Sequence, residues 1–427
     1  MKTSRYVAAT MNTISSRAVL IEGEFRPASI RFEDGVIVEI GDHYLSDLDY
    51  GHLPILPGLV DSHVHVNEPG RTDWEGFSTA TAAAVAGGTT TIVDMPLNSI
   101  PPTTTVAALG AKRAAAEGKL SCDVAFWGGI VPGSETELES LVADGVCGFK
   151  VFLTDSGVSE FPPVDVAGIA DLDLDVPLLV HAEWPALIGE SGPDYDSYLA
   201  SRPPEAEAEA IRRLSGLGGP VHILHVSSSD GVDAITEGPV SMTGETCPHY
   251  LTFIDGDVTG TEFKCAPPIR GADHRAALWE GLRTGTLSMV VSDHSPSPPA
   301  LKEGDFASAW GGIASVQLRL PVTWDGAAKR GIDLETVTGW LSAAPAALAG
   351  LAQRKGSIEV GKDADFVVFD PDGTTSVKGD ALLHRHPSTP YEGMTLRGKV
   401  VASILRGYSA FDGGHVTDPG GRMLLRS

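Results

Sequence analysis

Short apolar segments alternate with stretches of helical pattern between residues 57 and 293, and this alternation constrains the fold more than any other feature. The apolar segments, read as eight strands, are 57–65, 89–95, 122–127, 147–152, 176–181, 221–226, 240–246 and 286–293. Helical stretches between them include 77–86, 106–117, 135–143, 205–214 and 274–282, and a further helical stretch follows at 334–348. Eight β/α units predict an α/β protein with a parallel (β/α)8 barrel of the TIM type. A doubly wound open sheet is the alternative, but no Gly-x-Gly-x-x-Gly follows the first strand to favour it.

The segments on both sides of this barrel have a β pattern without helical interruption. Candidate strands are 17–21, 29–32 and 36–40 before the barrel, and 365–369 and 399–404 after it. We therefore predict that residues 1–56 and 356–427 pair into one small β-sandwich beside a barrel of residues 57–355.

The net charge and the cysteine content limit which binding partners and which cellular compartment we expect. The net charge of −25 would repel nucleic acids and anionic membranes, so we expect neither as a partner. The four cysteines are scattered without a Cys-x-x-Cys pair, which argues against a disulfide framework and fits a reduced cytoplasmic setting. Residues 1–19 contain no apolar core of a signal peptide, and no apolar run is long enough to span a membrane.

The first predicted strand ends in Asp61-Ser62-His63-Val64-His65. Residues two apart on a strand point to the same face, so the imidazoles of His63 and His65 converge, with Asp61 on the same side. Two imidazoles at one strand end can chelate a divalent metal, although an ordinary pair of polar histidines is the alternative.

Other predicted strands carry polar residues near their carboxyl ends, where a barrel places its chemistry. These residues are Lys150 on strand four, His181 on strand five, His225 on strand six and Asp293 on strand eight. Together with the two histidines of strand one they predict a metal site.

Lys150 has two interpretations. An ammonium would repel metal ions, but burial in an apolar strand favours the neutral amine, which can react with carbon dioxide to form a carbamate able to bridge two metals. The alternative is a lysine paired with an acidic neighbour such as Asp155. Two close metals with an open, bridging water position predict metal-assisted hydrolysis of an acyl bond. Asp293 would then be both a ligand and the proton shuttle.

These residues resemble the amidohydrolase superfamily, and more narrowly its cyclic amidases, which include dihydroorotases, dihydropyrimidinases (hydantoinases) and allantoinases. The resemblance covers nearly the whole chain, including Gly361-Lys362-Asp363-Ala364-Asp365-Phe366. It implies two divalent metals, usually zinc, bridged by N6-carboxylated Lys150. The implied ligands are His63, His65, Lys150, His181, His225 and Asp293.

Two positions differ from the patterns of dihydroorotases and dihydropyrimidinases, and they narrow the choice among the cyclic amidases. Asn67 stands where dihydroorotases have an arginine for the substrate carboxylate, and Asp155 stands where dihydropyrimidinases have a tyrosine for the oxyanion. The remaining motifs are allantoinase-like: residues 68–76, 95–98, 200–203, 293–296 and 309–313.

The resemblance therefore implies a neutral cyclic amide as substrate, with ring opening of allantoin to allantoate in purine (ureide) catabolism. Expected ring contacts are Asn98, Ser295 and the backbone at Cys265 and Ala266. The alternatives are a broad-range hydantoinase and a non-enzymatic scaffold relative. The resemblance also implies a homo-oligomer, a tetramer.

Arg71 and His249 are two further residues near the expected site. Arg71 is expected to contact the tail of the substrate or to pair with Asp73. His249 is expected behind the ligands rather than among them.

Overall fold

The computed structural model describes residues 12–44, 46–170, 172, 174–417 and 420–426. Residues 1–11 lie outside the described residues. The part of the predicted β segment 1–56 and the part of the signal-peptide expectation for residues 1–19 that fall on them therefore stay predictions.

The segment before the barrel forms five strands in the described part of the chain. They are β1 (Thr13–Ile21), β2 (Glu24–Glu33), β3 (Val36–Gly41), β4 (Leu48–Asp49) and β5 (Ile55–Pro57). Strands β1 to β3 form an antiparallel meander, and Asp34 and Gly35, both with positive φ, make the turn between β2 and β3. Glycine adopts this conformation without steric cost.

The barrel region alternates strands and helices as predicted. Its strands are β6 (Leu59–Val64), β7 (Thr89–Asp94), β8 (Asp123–Phe126), β9 (Gly128–Gly129), β10 (Phe149–Phe152), β11 (Leu178–His181), β12 (Val221–Ile223), β13 (Thr243–Thr246) and β14 (Met289–Val290). Its helices are α1 (Phe77–Ala86), α2 (Val106–Ala116), α3 (Leu138–Ala143), α4 (Val166–Ala170), α5 (Tyr195–Ser201), α6 (Pro204–Leu214), α7 (Ser229–Glu237), α8 (Pro248–Thr252), α9 (Ala272–Thr284), α10 (Arg319–Ala328), α11 (Leu334–Thr338) and α12 (Ala344–Leu348). A π-helical turn, Gly339–Ala343, joins α11 to α12. None of the helices in the described ranges is long and apolar enough to cross a membrane.

Hydrogen bonds close these strands into a ring. Strands β6 to β8 pair in parallel, and so do β9 to β14. On one side the two groups meet where Cys147 N donates to Phe126 O at 2.9 Å, and on the other where His65 N donates to His294 O at 2.8 Å. The predicted TIM-type barrel is confirmed, with strands shorter than predicted because several pairings end before the apolar runs do.

The segment after the barrel returns to β structure and joins the first segment. It contains β15 (Phe366–Ser376), β16 (Thr395–Leu405), β17 (Tyr408–Asp412) and β18 (His415–Val416). Strand β15 pairs antiparallel with β5, aligning Val367 with Leu56, so both flanks share one sheet. The pairing of the two flanks is thus as predicted. We propose domain boundaries at 56/57 and 355/356.

A cluster of buried charges ties this sheet to the barrel end opposite the predicted site. Lys355 Nζ lies 2.7 Å from Asp123 Oδ2, 2.8 Å from Asp363 Oδ2 and 2.6 Å from Asp365 Oδ2. Arg406 pairs with the other oxygen of Asp123. Burial alone would lower the pKa of Lys355, but the three carboxylates raise it above its ordinary value.

The last described residues lie along the same end of the barrel. Met423 forms a parallel bridge with Val124, and Leu424 N donates to Val124 O at 2.8 Å. The side chain of Leu424 is buried, and Arg426 Nη1 donates to Cys147 O. Residues 423–426 therefore cover the edge at which β8 meets β10.

Candidate metal centre

The carboxyl end of β6 and the segment after β14 bring three predicted ligands together. His63 Nε2 lies 3.1 Å from Asp293 Oδ1, and His65 Nε2 lies 3.7 Å from the same oxygen. All three side chains are buried. Asp293 has φ +44°, in the left-handed region, which is uncommon for a residue other than glycine and is found at functional sites.

A second pair of histidines comes from β11 and from the residues after β12. His181 Nδ1 lies 3.0 Å from His225 Nε2. Strand β12 ends at Ile223, so His225 follows the strand instead of ending it, and its φ is +38°. The Nδ1 atom of His225 is buried and has no hydrogen-bond partner among the described residues.

Lys150 lies on β10 beside the cluster of His63, His65 and Asp293. Its Nζ is 3.4 Å from His63 Nε2, and the side chain is buried. Burial lowers the pKa of Lys150 to about 8, although the Asp293 and Glu245 carboxylates oppose this shift. The structure gives Lys150 a polar contact with His63 rather than the alternative pair with Asp155, which accepts a hydrogen bond from Gly157 N at 3.0 Å.

Two buried carboxylates hold histidines of both groups. Glu245 Oε1 lies 2.6 Å from His63 Nδ1, and Oε2 lies 3.1 Å from His222 Nε2. Glu183 Oε2 lies 2.7 Å from His181 Nε2 and also accepts a bond from Arg202. A carboxylate on one imidazole nitrogen directs the lone pair of the other nitrogen towards a metal.

The environment of Glu183 keeps it ionised. Burial would raise its pKa, but Arg202, His181 and Arg270 outweigh burial and lower the pKa to about 2. The negative charge that orients His181 is therefore permanent across the ordinary pH range.

Asp61 has a structural position behind the ligands. Its Oδ1 accepts from His63 N at 3.3 Å and from Ser292 N at 3.2 Å. Its Oδ2 lies 3.5 Å from Nε of the fully buried Arg319. Arg319 also donates to carbonyl oxygens of β6 and β14, at Val60 and Val290, and so holds these two strands together.

The donor set fits a divalent metal. One ligand atom each from His63, His65 and Asp293 lies within 4.8 Å of the others. Burial holds the pKa of His63, His65 and His225 well below the ordinary value, so these imidazoles keep free lone pairs. Clustered neutral imidazoles beside a carboxylate, with an unpartnered nitrogen, are the chemistry of a divalent metal site.

His249 lies beside the centre. Cys247 and His249 each offer a ligand atom within 4.8 Å of Asp293, and neither ring nitrogen of His249 has a hydrogen-bond partner among the described residues. The position of His249 behind the ligands stays a prediction, because its ligand atom lies within the same 4.8 Å of Asp293 as those of His63 and His65.

A cavity of about 410 Å³ opens above the centre. His65, Lys150, His181, His225 and Asp293 line it, and so do the four predicted substrate contacts, Asn98, Cys265, Ala266 and Ser295. The metal donors therefore face a space large enough for a small cyclic molecule.

Asn67 and Arg71, which the sequence placed near the site, lie outside the cavity wall. Asn67 donates from Nδ2 to Pro296 O at 3.2 Å and does not line the cavity. Arg71 neither lines the cavity nor pairs with Asp73. It pairs with Glu160 and donates to Asn98 O at 2.8 Å.

The residues that hold the candidate ligands in place were not predicted from the sequence. Glu183 and Glu245 are acids within or beside apolar strands, which is the one signal that could have indicated them. Arg319 gave no local signal, because its partners are distant in sequence, and Arg202 was indicated only as part of the motif at 200–203.

Comparisons with known proteins agree with this geometry. Residues 55–167 and 244–409 match the amidohydrolase family. Allantoinase of Streptomyces avermitilis is 49% identical, over 96% of this chain and 98% of its own length. Allantoinase of Saccharomyces cerevisiae is 41% identical (98% and 99%), and that of Arabidopsis thaliana is 42% identical (96% and 90%).

Solved structures of hydantoinases have the same fold. The L-hydantoinase (dihydropyrimidinase) of Arthrobacter aurescens superposes with a TM-score of 0.90 at 29% identity, covering 98% of this chain and all of the other. Dihydropyrimidinase of Brevibacillus agri gives 0.89 at 27% identity, with 97% and 98% covered. The family match covers residues 55–167 and 244–409, and the relatives align over nearly the full length of the chain. Together with the buried donor set, these matches lead to the conclusion that the chain belongs to the amidohydrolase family.

Proposed function

We propose that the chain is a cyclic amidohydrolase that opens allantoin to allantoate. The observation that carries this proposal is that five of the six predicted donors line one cavity and the sixth, His63, contacts two of them, Asp293 and Lys150. The other walls of this cavity include Asn98 and Ser295. The similarity to allantoinases over nearly the whole chain supports the choice of substrate.

The proposed cofactors are two zinc ions bridged by N6-carboxylated Lys150. His63, His65 and Asp293 would hold one ion, and His181 and His225 the other. The lowered pKa of Lys150 supports carboxylation, because only the neutral amine reacts with carbon dioxide. Divalent ions in this donor set lower the pKa of water and polarise the carbonyl to be attacked.

Asp293 is the proposed proton shuttle. In the protein without metal, burial raises its pKa to about 7. A carboxylate beside the attacking water can both accept and return a proton. It takes the proton of the attacking water and delivers it to the ring nitrogen as the amide bond breaks. Asn98, Ser295 and the backbone at Cys265 and Ala266 hold the ring, while Glu183 and Glu245 keep the histidines oriented.

Two positions favour a neutral substrate other than a dihydropyrimidine, and only the second of them lines the cavity. Asn67 occupies the position of the carboxylate-binding arginine of dihydroorotases. Asp155 lines the cavity where dihydropyrimidinases have an oxyanion-binding tyrosine, and an ionised carboxylate cannot donate to an oxyanion.

Broad-range hydantoinase activity is the second candidate, favoured by the hydantoinase structures. A scaffold without activity is disfavoured because every donor position is filled. By resemblance, the assembly is a homotetramer and the location is the cytoplasm.

The test is an activity panel on zinc-reconstituted protein with allantoin, hydantoin and dihydrouracil. We expect allantoin to have the highest kcat/KM and elemental analysis to give about two zinc ions per chain. A preference for hydantoin would favour the second candidate, and no turnover of any ring would overturn both. A carbamate carbon signal in protein reconstituted with ¹³C-bicarbonate tests the modification of Lys150.

A further inference from the structure

Two allantoinase-like motifs that supply no metal ligand line the cavity, and a third packs behind one of them. Trp310 belongs to the motif at 309–313, Trp74 to the motif at 68–76 and Asn98 to the motif at 95–98. The rings of Trp74 and Trp310 pack edge to face, with centroids 4.9 Å apart. Trp310 and Asn98 both line the cavity.

The Trp310 side chain has an unmet hydrogen-bonding group. Its Nε1 is buried and has no acceptor among the described residues. An indole N–H can only donate, and a buried donor without an acceptor costs free energy. A cavity wall with such a donor is therefore suited to a ligand that brings a carbonyl oxygen.

The backbone around Trp310 is held at four points. Trp310 N donates to Leu301 O at 2.7 Å, and Gly312 N donates to Lys264 O at 2.8 Å. Lys264 Nζ donates to Ala309 O and Lys302 Nζ donates to Gly312 O, each at 2.5 Å. This number of restraints fixes the indole before a ligand arrives, which lowers the entropic cost of binding.

Arg71 connects Trp74 to the ring-binding side of the cavity. Its guanidinium lies 5.1 Å from the centroid of the Trp74 ring, and Nη1 donates to Asn98 O. Gly157 faces the other part of Trp310, since a Cβ there would lie 3.5 Å from the indole. The indole is thus bracketed on two sides by residues that do not touch the metal donors.

We propose that Trp310 binds the ureido tail of the substrate and is the residue that separates tailed from untailed hydantoins. A ureido group is neutral and has one carbonyl oxygen, which can accept the indole N–H at the edge of the ring. Trp74 and Arg71 are positioning residues that hold the indole. This inference rests on the proposed function.

The experiment compares allantoin with unsubstituted hydantoin, which has the same ring without the tail. Trp310→Phe keeps an aromatic face and removes the N–H, and we expect kcat/KM for allantoin to fall about tenfold while that for hydantoin changes less than about twofold. Trp310→Ala also removes the face, and the allantoin value should fall about a hundredfold. The matched control is Trp324→Phe, because the indole of Trp324 bonds Pro371 O outside the cavity and its loss should not change the ratio.

Equal losses for the two substrates, or no loss for either, would overturn the role of Trp310. Wild-type protein that opens hydantoin but not allantoin would instead refute the proposed function. Calorimetric titration of metal-depleted protein with allantoin then decides the inference separately. Wild type should bind allantoin about tenfold more tightly than Trp310→Phe, and equal affinities would refute tail binding.

Discussion

Lys150 and Lys355 are buried at opposite ends of the same barrel, and their surroundings differ. Lys355 makes ion pairs with three aspartates, and its pKa is raised. Lys150 has its closest polar contact with an imidazole, and burial lowers its pKa to about 8. One lysine has all the partners that a buried ammonium needs, and the other has almost none.

This difference separates a structural cluster from a binding site. Buried charges are tolerated when they are paired, and a paired cluster has no need of a further ligand. An unpaired group retained in the interior indicates that something else completes it. Both clusters contain three acidic or histidine side chains close enough for a metal, so proximity alone does not distinguish them. The contacts of Lys150 and Lys355 distinguish the two clusters.

The largest expected effect is at the metal end. Asp293→Asn removes the proton acceptor and a charged ligand, so kcat/KM for allantoin should fall by at least about a thousandfold. The melting temperature should be nearly unchanged, because the amide is isosteric. Near wild-type turnover of this variant would refute the role of Asp293.

At the other end, the expected effect is on stability. Lys355→Met leaves three buried carboxylates without their cation, and the free energy of unfolding should fall by about 3–5 kcal/mol. Denaturant titration measures this, and KM of the folded fraction should remain that of the wild type. Lys362→Met, at a lysine outside this cluster that pairs with Glu359 and donates to Ser357 Oγ, is the control and should have a small effect. Equal stability of the two variants would mean that the cluster is not structural.

A smaller effect is expected from a carboxylate behind the ligands. Glu245→Gln weakens the support of His63 Nδ1, and the affinity for metal should fall about 10–100-fold. Competition with a chelator measures it. Glu209→Gln, on the exposed surface of α6, is the matched control and should leave the affinity unchanged. Retained affinity in Glu245→Gln would show that His63 needs no partner.

The smallest expected effect has the opposite sign to that of Lys355. In metal-free protein, Lys150→Met removes an unpaired buried amine and should raise the free energy of unfolding by on the order of 1 kcal/mol at neutral pH. Because the folded pKa of about 8 is below the ordinary value of 10.5, the wild type should lose stability as pH falls from about 10.5 to 8. The variant should lack this contribution, which denaturant titrations across that pH range measure. A destabilised variant would show that Lys150 is paired in the folded protein.

The barrel and the cluster of candidate ligands were predictable because each depends on local spacing. Apolar runs indicated all eight strands, and the strand ends indicated His63, His65, Lys150, His181, His225 and Asp293. The contacts of Lys355 and Arg319 depend on residues far apart in sequence, and no periodicity reports them. The partner of Arg71 was mispredicted for the same reason, since Glu160 lies on a different loop from Asp73.

The sheet that joins β5 to β15 has a consequence for the order of folding. Because the barrel residues separate these strands in the chain, β1 to β3 and β5 emerge from the ribosome long before β15 and β16 exist. The edge of β5 that pairs with β15 therefore remains unpaired throughout synthesis of the barrel, and unpaired strand edges are where chains associate wrongly. Non-local pairing of this kind also slows folding. We expect folding yield in cells to depend on chaperones and on the rate at which residues 366–405 are translated.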